Sequence, residues 1–194
     1  MDFFIFIFIF IFIFILNFGA FLMLNKTIFL VFAMVLSLAG CSEPEPTGTK
    51  IFGGTAYIEI PTEFTLMPKD MLAAKYPQPN APQEAYFVEE GKVSLAFSAT
   101  KNTLPDGKLG EVANMMKKQF APFNPTLEAK DIDGRKAYLL TMNTPTAEGT
   151  IKNIMLLTTI SGKLVIATFN STEDLAGKYM DVGKNALFSL KFKK

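Results

Sequence analysis

One cysteine, one arginine and no histidine set the chemistry open to this chain of 194 residues. Cys41 closes the tetrapeptide Leu38-Ala39-Gly40-Cys41 at the end of an apolar run. A basic start, an apolar stretch and small residues before a cut form a secretory signal. Without histidine, no side chain titrates near neutrality unless strongly perturbed. Histidine-based acid–base catalysis, Ser-His-Asp chemistry and imidazole metal ligation are excluded. If processing consumes the Cys41 thiol, thiolate nucleophiles and cysteine zinc sites go with it. Carboxylate, lysine or tyrosine chemistry stays open.

Three other groups of residues invite a functional reading. Arg135 can hold a carboxylate or phosphate bidentately, or it is an exposed turn charge beside Asp133. Asp131 and Asp133, with Asp106 or Glu128, carry carboxylates for a cation, or they are solvated charges across a hairpin. Tyr76, Pro77, Gln78, Pro79 and Asn80 form a proline-bearing loop. It reads as a recognition surface, because loops on a rigid scaffold often carry function, or as a plain connection. Asn170-Ser171-Thr172 matches a glycosylation sequon, but helix capping accounts for Ser171 better. No metal or other cofactor is implied.

Met23 to Gly40 makes a complete leader, with Lys26 as its positive charge and Ile28 to Leu38 as its apolar core. Residues 1–22 do not fit that pattern. Phe3 to Ile15 alternates Phe and Ile without a charge, a low-complexity run with the period of a strand. The expectation is that Met23 is the true start; the alternative is a membrane-spanning helix, since about 20 apolar residues suffice. Residues 41–50 read as an extended tether, with Ser42 to Thr49 rich in Pro, Glu and Thr. Residues 51–194 read as one domain.

Lys and Arg number 19 against 18 Asp and Glu. That balance argues against a nucleic-acid partner, which needs a basic excess on one face. With a single cysteine no disulfide forms within the chain, so stability must come from packing.

The periodicities predict the elements that position these residues. Thr55 to Ile60 and Phe64 to Met67 read as strands, and Lys69 to Lys75 as a short helix opened by Pro68. Glu84 to Glu90 and Val93 to Thr100 form a hairpin around Gly91-Lys92. Leu109, Val112, Ala113, Met116 and Phe120 make the stripe of an amphipathic helix, with Met115 and Met116 as core filler. Asp133-Gly134 turns Leu127–Ile132 into Arg135–Asn143, and Ser161-Gly162 turns Thr150–Ile160 into Lys163–Asn170. Met155 to Leu157 and Leu164 to Ile166 are apolar on consecutive positions, so these strands belong at the centre of a sheet, covered on both faces. Ser171 and Asp174 resemble a capping box for a helix carrying Leu175, Tyr179, Val182 and Ala186 inward. Gly183 in that helix is a weak point or a close-packing contact. Phe188 to Phe192 forms a last strand. Hairpins dominate, so the fold class is α+β, a mainly antiparallel sheet flanked by helices.

Two resemblances extend this reading. Leu38-Ala39-Gly40-Cys41, ending a leader with a polar linker behind it, resembles a bacterial lipoprotein lipobox. That implies a diacylglycerol thioether on Cys41, cleavage between Gly40 and Cys41, and acylation of the new amino terminus. Ser42 follows the cysteine where no Asp stands, which by resemblance to the enterobacterial sorting rule implies the outer membrane, with the domain facing the periplasm. The element order resembles the PsbP/DcrB-like sandwich. It rests on Tyr57 to Phe64, on Asp133-Gly134-Arg135-Lys136-Ala137-Tyr138, on Ile166 to Asn170 and on Ser189-Leu190-Lys191-Phe192. That fold carries no shared catalytic residues. The functional expectation is a lipid-anchored envelope lipoprotein with a non-enzymatic, partner-binding or accessory domain, its partners the membrane through acyl chains on Cys41 and an envelope protein. The alternatives are a periplasmic carrier or sensor of a small apolar ligand or lipid, and a hydrolase with a lysine- or carboxylate-activated nucleophile.

Overall fold

A computed structural model describes residues 45–78 and 81–193. The expectations for residues 1–44, including the cut at Gly40 and the lipid on Cys41, and for Pro79 and Asn80, lie outside the described residues.

The described residues form an α+β fold of two antiparallel sheets and three α-helices. A small sheet joins the two ends of the domain: β1 (Thr49–Ile51), β2 (Ala56–Ile58) and β10 (Lys191–Phe192), with β2 in the middle. The large sheet has seven strands, in the order β3 (Thr65–Leu66), β4 (Glu84–Val88), β5 (Val93–Thr103), β9 (Lys163–Thr172), β8 (Gly149–Ile160), β7 (Arg135–Thr146) and β6 (Thr126–Ile132). The helices are α1 (Lys69–Lys75), α2 (Leu109–Gln119) and α3 (Glu173–Phe188). β1 was not anticipated: Thr49 and Lys50, placed in the tether, pair with Ile58 and Tyr57. Three residues are too few to show a period, and only the partner strand makes them a strand.

The two Gly-containing turns fold as their residues require. Asp133 and Gly134 have φ of 52° and 74°, and Ser161 and Gly162 have 50° and 73°. Paired positive φ gives the turn whose twist matches that of the flanking strands. The apolar runs of β8 and β9 fall in the middle of the sheet, where a strand meets partners on both edges.

One face of the large sheet holds the main core. Val93, Leu95, Phe97, Leu139, Leu156, Val165, Ala167 and Phe169 are buried there. α3 contributes Tyr179, Ala186 and Leu187, and the small sheet Ile51, Ala56, Ile58 and Phe192. Gly183 is the close contact between helix and sheet: a Cβ there would lie 2.3 Å from the Phe169 ring. The Tyr179 hydroxyl donates to Glu89 Oε1 (2.7 Å), which also receives Lys178 Nζ (3.0 Å). These donors hold the Glu89 carboxyl below its usual range. The Tyr179 and Glu89 side chains push Lys178 up to about 12.

The opposite face carries two smaller clusters. α2 sets Leu109 and Ala113 against Leu140 and Leu157. α1 sets Met71 and Leu72 against Met67, Ala85 and Ala96. Met116 packs in the α2 cluster as expected, whereas Met115 is 60% exposed. The two methionines are adjacent, so one helix turn cannot aim both at the sheet.

Both ends of α3 differ from the sequence reading. Thr172, not Ser171, precedes α3. β9 stays extended one residue further because Thr172 pairs with Ile151 and donates its N–H to Lys92 O (3.2 Å). Ser171 is buried and its hydroxyl donates to Thr172 O (3.0 Å). Phe188 belongs to α3 rather than to the last strand. Ser189 then closes the helix, its N–H donating to Asn185 O and its hydroxyl to Ala186 O.

Candidate functional site

The corner where the β6–β7 turn meets β10 brings together residues far apart in sequence. The turn is fixed first: Gly134 N–H donates to Asp131 Oδ1 (2.9 Å). Asp133 then clamps the small sheet, accepting Phe192 N–H at Oδ2 (2.9 Å) and Lys191 Nζ at Oδ1 (3.2 Å). This places the Phe192 ring under Arg135, the first residue of β7, with the guanidinium carbon 4.2 Å from the ring centroid. Such stacking favours a guanidinium and restrains its plane. Arg135 Nη1 also donates to Thr159 O across a long 3.4 Å.

Arg135 separates two cavities. One, of about 330 Å³, is bounded by Leu104, Pro105, Asp106 and Lys136 and by the start of α2. The other, of about 440 Å³, is lined by Thr55, Arg135, Ile160, Ser161 and Lys193. Leu104 N–H donates to Gly162 O and Lys193 N–H to Thr55 O (3.1 Å), which ties the walls of each to the sheet. A guanidinium stays protonated in proteins, so the site offers donors and positive charge, not a base.

The acidic residues do not converge on a cation. Asp131 and Asp133 serve the turn and the clamp, and among the described residues no group of three His, Cys, Asp or Glu gathers. The 76–80 loop divides. Tyr76 turns inward, its hydroxyl 3.2 Å from Ser94 Oγ, and packs against the cluster of Met67, Ala85 and Ala96. Burial pushes its pKa up, against hydrogen bonds to Ser94 and Asn170. Pro77 and Gln78 are exposed.

Lysine-activated nucleophile chemistry finds no such pair at Lys75. Its ammonium donates to Gly91 O (2.7 Å), and desolvation pushes its pKa down. Ser94 is 1% exposed and bonds to Tyr76. The two cavities beside Arg135 have charged and hydroxyl-bearing walls, unlike the apolar pocket a carrier would show between sheet and helices.

The comparisons with known proteins bear on the fold. No family model matches the chain, and no curated protein does. Among solved structures, cyanobacterial PsbP (CyanoP) from Synechocystis sp. PCC 6803 superposes with a TM-score of 0.53 at 16% identity, over 81% of this chain and 99% of that one. The domain has a PsbP-like fold. LpqN, involved in cell envelope biogenesis of Mycobacterium tuberculosis, gives a TM-score of 0.43 at 14% identity, over 77% of this chain and 87% of that one. PA94, a protein of unknown function from Pseudomonas aeruginosa, gives 0.44 at 13%, over 68% and 83%.

Within the PsbP-like domain, the two segments Asp133–Tyr138 and Ser189–Phe192 meet at the Arg135 corner. Their contact was not legible locally. What the sequence offered was a lone arginine next to a tight turn, and a phenylalanine flanked by lysines at the other end of the domain. No helix among the described residues is long and apolar enough to cross a membrane.

Proposed function

We propose that this chain is a cell-envelope lipoprotein, held by acyl chains on Cys41, whose PsbP-like domain binds a partner rather than catalysing a reaction. The observation that carries the reading is the junction between leader and domain. Leu38-Ala39-Gly40-Cys41 ends an apolar leader, and only Ser42, Glu43 and Pro44 separate Cys41 from Glu45. Glu45 is already part of the domain, paired with Lys50 (3.2 Å) and Lys193 (3.6 Å). A domain that begins so soon after the cysteine is positioned at a membrane surface by the anchor itself. The Arg135 corner supports binding over catalysis, since it collects donors and fixed charge without a group that exchanges protons near neutrality. The residue after the cysteine, Ser42, favours the outer membrane with the domain in the periplasm, and the partner is an envelope protein.

Anchoring takes more than one acyl chain, because a single chain gives only marginal, reversible attachment at about 0.8 kcal/mol per buried methylene. Cys41→Ser removes the thioether and blocks the cut that depends on it. The expected outcome is loss of the membrane-associated mature form in fractionation, and loss of the acyl mass from the amino-terminal peptide. A wild-type amino-terminal peptide with an unmodified Cys41, or a Cys41→Ser protein with unaltered mass and membrane association, overturns the reading.

A further inference from the structure

We propose that Arg135 and Lys193 build a phosphate-binding site, and that phospholipid headgroups supply the phosphate. The first argument is the geometry of the guanidinium. Seven lysines pair with a carboxylate; the other nine among the described residues do not. Arg135, the one side chain whose fork suits a two-oxygen grip, has no carboxylate oxygen within 4.0 Å among the described residues. Its only hydrogen bond there is the long one to Thr159 O. Stacking on Phe192 at 4.2 Å restrains the fork, so little freedom remains to be lost on binding.

The second argument is the cavity beside it. Of the two spaces flanking Arg135, the one of about 440 Å³ has two cationic side chains, Arg135 and Lys193, and no acidic residue in its wall. Asp106 lines the other space and makes it the poorer anion site. Ser161, exposed at its turn, adds a hydroxyl donor; the Thr55 hydroxyl is already donating to Phe52 O (2.8 Å). A guanidinium fork, an ammonium and a hydroxyl on different walls can satisfy more oxygens than a carboxylate presents, and a phosphate presents them. Glu45 lies 3.6 Å from Lys193 and is the group the ligand must outcompete. Glu45 is exposed and shares its charge with Lys50, so that pair is weakly held.

The third argument is position, and it rests on the lipoprotein reading. The link from Cys41 to Glu45 spans at most about 14 Å when extended. Glu45 pairs with Lys193, so the domain's first described residue, the one from which the chain leads back to the proposed anchor, lies beside this cavity.

The test uses the full chain, purified in an uncharged detergent. A single arginine gives a single Nε–Hε NMR signal, an unambiguous reporter of the site. Inorganic phosphate should shift that signal saturably, and chloride at equal ionic strength should not. Phosphatidylglycerol added to the micelles should move the same signal, and phosphatidylcholine should move it less. In variants the Ser161 amide is the reporter. Arg135→Lys keeps the charge but loses the fork, and should weaken phosphate binding about tenfold. Lys193→Gln, which leaves the stacked pair untouched, should weaken it severalfold. An Arg135 signal that responds to phosphate no more than to chloride overturns the site, as does affinity unchanged in both variants. A response to phosphate without one to phosphatidylglycerol overturns the lipid source and leaves the phosphate site. The mass of the amino terminus, read on the same sample, separates these results from failure of the lipoprotein reading.

Discussion

Along β9, the middle strand of the large sheet, Val165, Ala167, Phe169 and Ser171 are buried, while Leu164, Ile166, Thr168 and Asn170, pointing the other way, are half-buried. The first set lies under α3 and the small sheet; the second lies on the face shared by α1 and α2. α3 is long, at 16 residues, and lets Gly183 settle onto the Phe169 ring. α1 and α2 are 7 and 11 residues long and hold separate clusters. One face is thus a continuous dry core and the other two patches of cover with polar side chains in reach. Asn153 shows how the second face is managed: its amide donates to Thr144 Oγ1 (3.0 Å) and Ile151 O (3.0 Å). Burial differences of this kind decide where a domain carries its stability and where it tolerates change.

The hardest test of that contrast is Gly183→Ala. The added methyl would meet the Phe169 ring at 2.3 Å, and the ring is fully buried. Neither the helix backbone nor the ring can yield without moving the core. Overpacking costs typically 1–3 kcal/mol, and a clash with a fully buried ring falls at the upper end of that range, while alanine recovers about 1 kcal/mol of helix propensity over glycine. The expected net loss is about 2 kcal/mol in chemical denaturation, or failure to fold. A variant as stable as the wild type would show that the face under α3 is plastic, and the contrast would go.

That contact also shows what could be read in advance. Gly183 stood out because a glycine interrupts an otherwise helical stripe, and its two readings were a weak point and a packing contact. Only the position of Phe169 decides between them. Turn chemistry was legible because Asp133-Gly134 and Ser161-Gly162 need positive φ whatever surrounds them. The α2 stripe was legible because its period is local. β1, the inward turn of Tyr76 and the stacking of Arg135 on Phe192 were not. Each depends on a partner from another part of the chain, and nothing in the local residue types encodes that partner. The centrality of β8 and β9 was correctly implied by their apolar runs, but those runs did not distinguish a sealed face from a half-covered one.

Gly110→Ala sharpens the comparison from the other side. A Cβ there would lie 2.7 Å from the Tyr138 hydroxyl oxygen. That atom ends a half-buried side chain with Lys136 Nζ 5.4 Å from its ring, so it can swing outward. The clash is relieved at small cost, and alanine again adds about 1 kcal/mol of propensity. Stability should change by less than about 1 kcal/mol in either direction. A loss matching that of Gly183→Ala would mean the α2 face is packed as tightly as the α3 face, against the burial along β9.

Glu84→Gln gives the smallest effect and tests how dry the margin of the sealed face is. Glu84 lies opposite Phe97 on β4, and its Oε1 accepts Phe52 N–H (3.2 Å). Burial pushes its carboxyl above the usual 4.5, and the Phe52 N–H only partly opposes this. The folded protein therefore favours the protonated form. That contribution is present in full below the ordinary carboxyl pKa and is lost as pH rises through the raised one. Glutamine keeps an oxygen for the Phe52 N–H and carries no charge. Its stability should be flat across the interval in which the wild type declines, leaving Glu84→Gln the more stable at pH 7, by less than about 1 kcal/mol because the group is half-exposed and screened. Denaturation midpoints from pH 4 to 7 read the two curves. Parallel curves would show that water reaches Glu84 freely, and the sealed face would then end at Phe97 and Phe52 rather than at the edge of β4.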